Sequence, residues 1–364
     1  MSVEIAKTIE NLPIYQAGKP IEETKRELGL VDVVKLASNE NPIGPSPRAA
    51  EAIRMAVLDL NRYPDAAGHK LKIALGEKLG VAPDEVLLGN GSNEILVLLM
   101  RAIAVPGKNI VIPWPSFIVY PLAGESVGLE VRKVALEDGF RHDADALIAA
   151  CDSNTQAIVI GHPNNPTGTY FPKAGLEKIL ATIPESTLLV IDEAYVEYAD
   201  APDYVSGLRL RRKNVMVLRT MSKAYGLAGM RLGYAVADRK LLGYLDRVRE
   251  PFNVNSLAQV GAIAALDDEL HIKRVVGVNA EERVRTMVKL EEMGLKVTQT
   301  QANFVLIELN GAAEPAYNGL LKKGVIVRPL APYGMPNHLR VSFGTRSEND
   351  RLLTALSEVL NVLE

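Results

Sequence analysis

Residues 215–237, VMVLRTMSKAYGLAGMRLGYAVA, decide the fold, because two apolar runs here enclose a polar, glycine-rich segment. The runs at 215–218 and 233–237 are the last of seven between about residues 83 and 237. The others lie at residues 85–88, 109–112, 129–133, 157–160 and 188–191. Helical patterns lie between most of them, at residues 94–104, 145–150 and 173–182. Apolar strands that alternate with helices are typical of a mostly parallel sheet covered on both faces, so the sequence predicts an α/β fold.

The length of the chain and the pattern of its last third predict a second domain. At 364 residues, the chain exceeds the about 250–300 residues at which one hydrophobic core stops growing. A helical pattern at residues 272–293 precedes strand-like runs at residues 303–307, 325–328 and 339–343. A final helix would begin after Ser347, with Asp350 completing its cap. We predict an N-terminal arm at residues 1–45, a large domain at 46–255 and a small α+β domain at 256–364.

Composition excludes several classes of function. Lys and Arg number 41 against 44 Asp and Glu, a net charge of −3 that lacks the basic excess of a nucleic-acid-binding chain. One cysteine, Cys151, and five scattered histidines predict neither an intramolecular disulfide nor a metal site. The most apolar stretch, at residues 95–105, contains Arg101 and is too short to span a membrane. The first 20 residues do not resemble a signal peptide, so we expect a cytoplasmic protein.

Two polar clusters follow predicted strands, where open α/β sheets bind their ligands. Residues 89–94, GNGSNE, open a helix whose N-terminus and small side chains suit an anion, although an ordinary turn explains them as well. Residues 162–168, HPNNPTG, form a turn that presents the side-chain amides of Asn164 and Asn165. The alternative for this second cluster is a tight, self-capped turn without a ligand.

Two further clusters carry charge. Residues 192–195, DEAY, place Asp192 at the end of a very apolar strand, where its carboxylate needs a partner; helix capping is the alternative. Residues 220–234 contain Lys223, which could be a nucleophile with a lowered pKa, although most lysines are solvated. Thr220, Ser222 and Arg231 could bind a phosphate.

Together the four clusters indicate one chemistry. A phosphate site, a buried carboxylate, an amide, a tyrosine and a lysine at neighbouring strand ends suit pyridoxal 5′-phosphate (PLP). The lysine would bind the cofactor covalently, and the carboxylate would keep the pyridine nitrogen protonated so that the ring withdraws electrons.

The order and spacing of these motifs resemble the fold-type-I aminotransferases. Asn165 and Asp192 are 27 positions apart, Asp192 and Lys223 are 31 apart, and Lys223 and Arg231 are 8 apart. Over essentially the whole chain, the sequence is similar to the histidinol-phosphate aminotransferases. The tracts that carry this resemblance lie at residues 13–30, 34–47, 61–65, 114–120, 324–330 and 338–350. It implies a large PLP domain with a seven-stranded, mostly parallel sheet, and a small domain to which both chain ends contribute.

The resemblance also implies roles for individual residues. Lys223 would bind the cofactor and transfer a proton, and Asp192 would pair with the pyridine nitrogen. The rest of the implied cofactor site comprises Asn165 and Tyr195 at the ring hydroxyl, Phe117 stacked on the ring, and Ser92, Asn93, Thr220, Ser222 and Arg231 at the phosphate. The family often has tyrosine at the position of Phe117, and phenylalanine keeps only the stacking. Trp114 is expected to be a packing residue.

The implied substrate site and assembly extend beyond these clusters. The residues implied to bind substrate are Tyr15, Asn39, Arg328 and Arg340. Tyr63 would reach the cofactor phosphate of a partner subunit, which implies a homodimer with shared active sites. The alternative for Tyr63 is a surface turn residue before Pro64.

The implied reaction is a ping-pong transfer of the amino group from L-histidinol phosphate to 2-oxoglutarate, which gives glutamate, in histidine biosynthesis. Neither a nucleic acid nor a membrane is expected as a partner. Two alternatives use the same cofactor: an aromatic-amino-acid aminotransferase and a lyase that resembles threonine-phosphate decarboxylase. A third, a non-catalytic PLP-domain sensor, would normally carry an added DNA-binding domain, which we do not expect here.

Overall fold

The computed structural model describes residues 3–14 and 18–363. Its strands are β1 (Val34–Lys35), β2 (Val86–Gly89), β3 (Asn109–Trp114), β4 (Glu130–Ala135), β5 (Thr155–Gly161), β6 (Leu188–Asp192), β7 (Val215–Thr220), β8 (Gly233–Val236), β9 (Lys296–Val297), β10 (Phe304–Glu308), β11 (Val325–Ile326), β12 (Arg328–Leu330) and β13 (Met335–Ser342). Its α-helices are α1 (Lys7–Glu10), α2 (Ile21–Leu28), α3 (Pro47–Ala56), α4 (His69–Leu79), α5 (Ser92–Ile103), α6 (Val119–Ser126), α7 (Ala144–Ala149), α8 (Lys173–Thr182), α9 (Arg239–Asp246), α10 (Ser256–Leu266), α11 (Glu269–Glu292), α12 (Ala313–Lys322) and α13 (Arg346–Leu363).

The main sheet contains seven of the described strands, in the order β2–β8–β7–β6–β5–β3–β4. The pairs from β4 through β7 are parallel, and β8 runs antiparallel to both of its neighbours. The seven apolar runs of the sequence are these seven strands, and every run agrees with its strand within two residues at both ends. The predicted α/β fold with a mostly parallel seven-stranded sheet is therefore confirmed.

Helices cover both faces of this sheet, which explains why its strands are apolar throughout. Along β5, Ala157 and Val159 pack in one core with α5, α6 and α9. The intervening Ile158 and Ile160 pack in another core with α7 and α8. Because successive side chains of a strand point to opposite faces, each strand needs apolar residues at both its odd and its even positions.

The C-terminal part forms a smaller antiparallel sheet in the order β12–β13–β10–β9, packed against α11, α12 and α13. The single run predicted at residues 325–328 is in fact two strands, β11 and β12, in different sheets. β11 pairs in parallel with β1, where Val34 lies opposite Val325. This pairing holds the following residues, 37–39, beside the smaller sheet.

The start of the last helix differs from the sequence prediction. Ser347 lies inside α13 and does not cap it. Thr345 fills that place: its backbone N–H donates to Glu348 Oε2 at 2.7 Å, and its hydroxyl lies 3.4 Å from the backbone N of Glu348. This is a capping box, and the sequence prediction placed it two residues too late.

Helix α10 follows the predicted domain boundary at residue 255 but packs against α3 and α4. Ala258, Ala262 and Leu266 share a core with Ala49 and Leu71. A boundary at residue 255 would separate α10 from the helices that it contacts. Within the described residues, no helix combines the length and apolarity needed to cross a bilayer, and no cluster of His, Cys, Asp and Glu is arranged to hold a metal ion.

Candidate active site

A cleft with about 950 Å³ of empty space, part of it open solvent, lies at the carboxyl ends of β5, β6 and β7. These ends meet at one edge because the strands are parallel. The segment 37–39 and the β12–β13 hairpin of the smaller sheet face this edge. The sequence-predicted residues that line the cleft are Asn39, Ser92, Asn93, Phe117, Asn165, Asp192, Tyr195, Thr220, Ser222, Lys223, Arg231, Arg328 and Arg340.

Lys223 follows the end of β7 by three residues and extends into the cleft. Its Nζ donates a hydrogen bond to the backbone oxygen of Ser38 at 3.1 Å and lies 5.7 Å from the ring centre of Tyr195. Burial, reinforced by the positive charge of Arg340, lowers the pKa of the Lys223 amine to about 8. A larger share of this amine is therefore neutral near pH 8 than of an ordinary lysine.

Asp192 is the last residue of β6 and is 5% exposed. Its Oδ2 accepts a hydrogen bond from the Tyr120 hydroxyl at 3.0 Å, and its Oδ1 accepts one from the Ala194 N–H at 3.2 Å. Burial raises the pKa of Asp192 to about 6, although both hydrogen bonds and the nearby Lys223 act in the opposite direction. A positively charged ligand group beside Asp192 would favour its ionised form.

Asn165 and Arg340 meet across the cleft. Arg340 Nη1 donates to Asn165 Oδ1 at 2.5 Å, and Arg340 Nη2 donates to the backbone oxygen of Ala37 at 2.6 Å. The guanidinium group also lies over the ring of Phe304, 5.3 Å from its centre. Arg328 is the residue directly opposite Arg340 in the β12–β13 pair, so the hairpin presents two guanidinium groups on one face.

Tyr195 closes the cleft beside Lys223. Its hydroxyl oxygen accepts a hydrogen bond from Asn39 Nδ2 at 2.9 Å, and its ring packs edge-on against Phe304. Burial raises the pKa of Tyr195 to about 12, so the phenol keeps its proton at neutral pH. A neutral phenol in this position can donate a hydrogen bond to a ligand.

An anion pocket lies where α5 begins. Within the described part of the chain, no side chain caps the helix N-terminus at Gly91, and Ser92 and Asn93 form its first turn. A Cβ atom on Gly91 would lie 2.8 Å from Arg231 Nη2, so glycine leaves the space that this guanidinium occupies. The backbone of Arg231 has a φ of +58°, which residues other than glycine rarely adopt. Free N–H groups and a cation at one helix N-terminus favour an anion.

Tyr120 and Tyr333 line the cleft, although the sequence reasoning assigned no role to either. Tyr120 lies three residues after Phe117, and their rings pack edge to face at 5.7 Å. That spacing, within the quoted tract at residues 114–120, is the signal that could have identified Tyr120. Tyr333 lies in the turn of the β12–β13 hairpin and stacks on Trp114 at 6.0 Å. No local pattern predicts that contact.

Tyr63 is not brought to the cleft of its own chain. Tyr63 is 82% exposed and stacks on Phe252, with 4.6 Å between ring centres. Tyr15 lies outside the described residues.

A buried ion pair lies directly behind the cleft. Glu193, next to Asp192, accepts hydrogen bonds from Arg219 Nε at 2.9 Å and from the Gly207 N–H at 2.6 Å. Arg219 precedes Thr220, so the pair joins the ends of β6 and β7 at the residues adjacent to the cleft. This fixes the relative positions of the strand ends that carry Asp192 and Lys223.

Comparisons with known proteins agree with this geometry. Residues 31–356 match the model of the family described as aminotransferase class I and II. Histidinol-phosphate aminotransferase 2 of Pseudomonas aeruginosa is 46% identical over 356 residues, covering 97% of this chain and 96% of the relative. The histidinol-phosphate aminotransferase of an Anaeromyxobacter species is 45% identical over 355 residues, covering 97% and 98%. The crystal structure of the Sinorhizobium meliloti histidinol-phosphate aminotransferase in complex with PLP superposes with a TM-score of 0.90 at 29% identity, covering 99% and 98%.

Proposed function

The chain belongs to the class I and II aminotransferases, and we propose that it transfers the amino group of L-histidinol phosphate to 2-oxoglutarate. It is a PLP-dependent aminotransferase. The substrate is proposed from the names of relatives that are 45–46% identical over nearly the whole chain. The reaction would serve histidine biosynthesis, and the cytoplasm is its proposed location.

The residues of the cleft fit PLP. Its phosphate would lie in the anion pocket between the start of α5 and Arg231, with Thr220 and Ser222 as further donors. Its pyridine nitrogen would pair with the buried Asp192, and its ring would stack on Phe117. Its ring hydroxyl would accept hydrogen bonds from Asn165 and Tyr195. Bound there, PLP would supply an electron-withdrawing ring conjugated to the substrate carbon.

Lys223 would hold the cofactor and afterwards carry the proton. Its lowered pKa, about 8, makes the neutral amine accessible near neutral pH, as attack on an aldehyde requires. Once the substrate amine replaces it, the same nitrogen can accept a proton from the substrate carbon. The backbone oxygen of Ser38 holds Nζ at the side of the cleft that faces the hairpin.

Arg328 and Arg340 would bind the substrate anion, and their opposed positions are the observation that carries this proposal. Both guanidinium groups lie on one face of the hairpin and line the cleft, so one anion can contact both. Among the described residues, the cleft is lined by four cationic side chains, Lys223, Arg231, Arg328 and Arg340, and one acidic side chain, Asp192. This excess of positive charge suits both a phosphate monoester and a dicarboxylate. Asn39 and Tyr15 are proposed to assist.

We also propose a homodimer in which Tyr63 enters the partner's cleft. Tyr63 stacks on Phe252 and lies close in sequence to Met55, Leu58 and Leu60, which are 57%, 82% and 55% exposed. An exposed apolar patch of this kind is typical of an interface.

The shared site can be tested by mixing two inactive variants. In a mixed dimer of Lys223→Ala and Tyr63→Ala subunits, one site would contain both an intact lysine and an intact tyrosine. Subunit exchange should therefore restore up to about half of the parent activity per dimer. Activity no higher than that of the Tyr63→Ala protein alone would place Tyr63 in its own subunit's site or outside any site.

The substrate proposal is tested by comparing kcat/KM for L-histidinol phosphate and L-phenylalanine, each with 2-oxoglutarate. We expect histidinol phosphate to be preferred by at least about 100-fold, because only it offers a dianionic phosphate to the two arginines. A preference for phenylalanine would instead favour the aromatic-amino-acid alternative. Carbon dioxide released from threonine phosphate without a keto acid would favour the lyase.

A further inference from the structure

Three consecutive residues of the N-terminal segment each contact a different polar side chain of the cleft. The backbone oxygens of Ala37 and Ser38 accept hydrogen bonds from Arg340 and Lys223. Asn39 instead uses its side chain, which donates to the Tyr195 hydroxyl oxygen at 2.9 Å. Only this third contact depends on which amino acid the chain places there.

The backbone of Asn39 is suited to this task. Its φ is +54°, in the left-handed region that asparagine and glycine tolerate best. Asn39 is 1% exposed, and its backbone oxygen accepts a hydrogen bond from Asn303 Nδ2 at 3.0 Å. The side chain is thereby held between Tyr195 and β13.

Ser342 of β13 determines which end of the Asn39 amide faces Tyr195. The backbone N–H of Asn39 donates to Ser342 Oγ at 2.8 Å, so that oxygen acts as an acceptor. The Ser342 hydroxyl hydrogen is directed at Asn39 Oδ1, 3.0 Å away. A reversed amide would present Nδ2 to this hydroxyl and deprive the buried Ser342 hydrogen of that acceptor. The amide oxygen therefore faces Ser342, and the amide N–H groups face Tyr195.

We propose that Ser342 and Asn39 are positioning residues that force the Tyr195 hydroxyl to direct its own hydrogen into the cleft. Because the Tyr195 oxygen already accepts from Asn39, its hydrogen must point elsewhere, and Tyr195 lines the cleft. Tyr195 is thus an obligatory donor to an anionic oxygen of the ligand there. This inference rests on the proposed placement of Tyr195 at the ring hydroxyl of PLP.

The expected consequence concerns the titration of the lysine-bound cofactor. When this chromophore loses its proton, negative charge at the ring oxygen increases. A hydrogen-bond donor at that oxygen stabilises the deprotonated form, so a lost donor raises the chromophore's pKa. Hydrogen bonds to charged groups predict a rise of about one unit.

The test is the absorbance of PLP-loaded protein as a function of pH, which requires no turnover. Asn39→Asp replaces the amide with a carboxylate, which would accept the Tyr195 hydrogen and turn it away from the ligand. Since the new charge also raises the chromophore's pKa directly, the same substitution is measured in a Tyr195→Phe background. In that background no Tyr195 hydroxyl is present, so only the new charge can change the chromophore's pKa.

We expect the rise caused by Asn39→Asp to be larger by about one unit when Tyr195 is present than in the Tyr195→Phe background. Ser342→Ala, which frees the amide without adding charge, should give a smaller rise that also requires Tyr195. This neutral variant decides the matter if Asn39→Asp does not fold. Asn303→Ala is the matched control, since it removes a hydrogen bond to Asn39 but leaves the amide direction intact, and it should leave the titration unchanged.

Equal shifts in the two backgrounds, or an Asn303→Ala shift as large as that of Ser342→Ala, would overturn the inference. Failure of the proposed function gives a different result. In that case the parent protein would show no lysine-bound cofactor band, or would show the band and leave histidinol phosphate unconverted.

Discussion

The two sides of the cleft are built in different ways. The cofactor side consists of Asp192, Lys223 and their neighbours at the ends of adjacent parallel strands, 31 positions apart in the sequence. The substrate side joins the segment 37–39 to the β12–β13 hairpin, almost 300 residues later in the chain.

This difference extends to their electrostatics. On the cofactor side, a buried carboxylate lies near a buried lysine, and the Glu193–Arg219 pair fixes the strands behind them. On the substrate side, Arg328 and Arg340 lie directly opposite each other with the same charge. The strand ends of the cofactor side are thus fixed by an internal ion pair, whereas the substrate side presents two like charges that one anion can contact.

The largest expected effect is the loss of Lys223. Lys223→Ala should lower kcat by about 10⁴-fold or more, because both the covalent attachment and the proton carrier disappear. It should also abolish the absorption band of the lysine-bound cofactor. Lys213→Ala, at an exposed position ahead of the same strand, is the control and should keep both. An unchanged band in Lys223→Ala would move the attachment to another lysine.

The second largest effect is expected for Asp192→Asn, which should lower the activity but raise the stability of the protein. We expect kcat to fall about 10³-fold, because the neutral amide cannot stabilise a protonated pyridine nitrogen. The cofactor-free protein should become more stable by about 2 to 3 kcal/mol above pH 6. Because burial raises the pKa of Asp192 to about 6 in the folded protein, above its ordinary value of 3.8, the parent protein loses stability as the pH rises between these two values.

Chemical denaturation at pH 4 and pH 7 measures this stability difference. The gap between the Asn variant and the parent should widen towards pH 7. A constant gap would mean that Asp192 is not destabilised by its burial.

Substitutions of the two arginines should show that Arg340 contributes more to substrate binding than Arg328. Arg340→Lys should raise KM for histidinol phosphate about 100-fold, since one ammonium group cannot satisfy both Asn165 and the Ala37 oxygen while it binds an anion. Arg328→Lys, at a partly exposed position, should raise KM only about 10-fold. Steady-state kinetics measure both KM values. Equal increases in the two variants would contradict the larger role of Arg340.

The smallest expected effect is a shift in the pH dependence of cofactor attachment. Because burial and the Arg340 charge lower the pKa of Lys223 to about 8, attachment to cofactor-free protein should accelerate with a midpoint near pH 8, well below the 10.5 of an ordinary lysine. Arg340→Met should move this midpoint upward, since it removes a like charge. The rate of appearance of the bound-cofactor band measures it. A midpoint that is unchanged in Arg340→Met would show that the charge of Arg340 does not lower the pKa of Lys223.

Much of the fold could be predicted from the sequence, because the main sheet is buried on both faces. Its strands are therefore continuous apolar runs, and all seven could be recognised. The smaller sheet was harder to predict. The run at residues 325–328 is divided between two sheets. Its first part leaves the smaller sheet because it pairs with β1, which lies near the other end of the chain.

The candidate site follows the same division. Motifs at strand ends indicated Asp192 and Lys223, since a strand and its following loop are local features. Tyr333 and the Ser38 oxygen carry no such signal, because their contacts arise only when the hairpin and the N-terminal segment pack against the larger sheet. The roles assigned to individual residues stay predictions until they are tested by substitution.

The proposed reaction is tested most directly by a single half-reaction. PLP-loaded protein is mixed with L-histidinol phosphate in the absence of a keto acid, and its absorbance is followed in time. We predict complete loss of the lysine-bound cofactor band, followed by its return when 2-oxoglutarate is added, with a much slower loss when phenylalanine is used. A band that histidinol phosphate leaves unchanged would show that histidinol phosphate is not the amino donor.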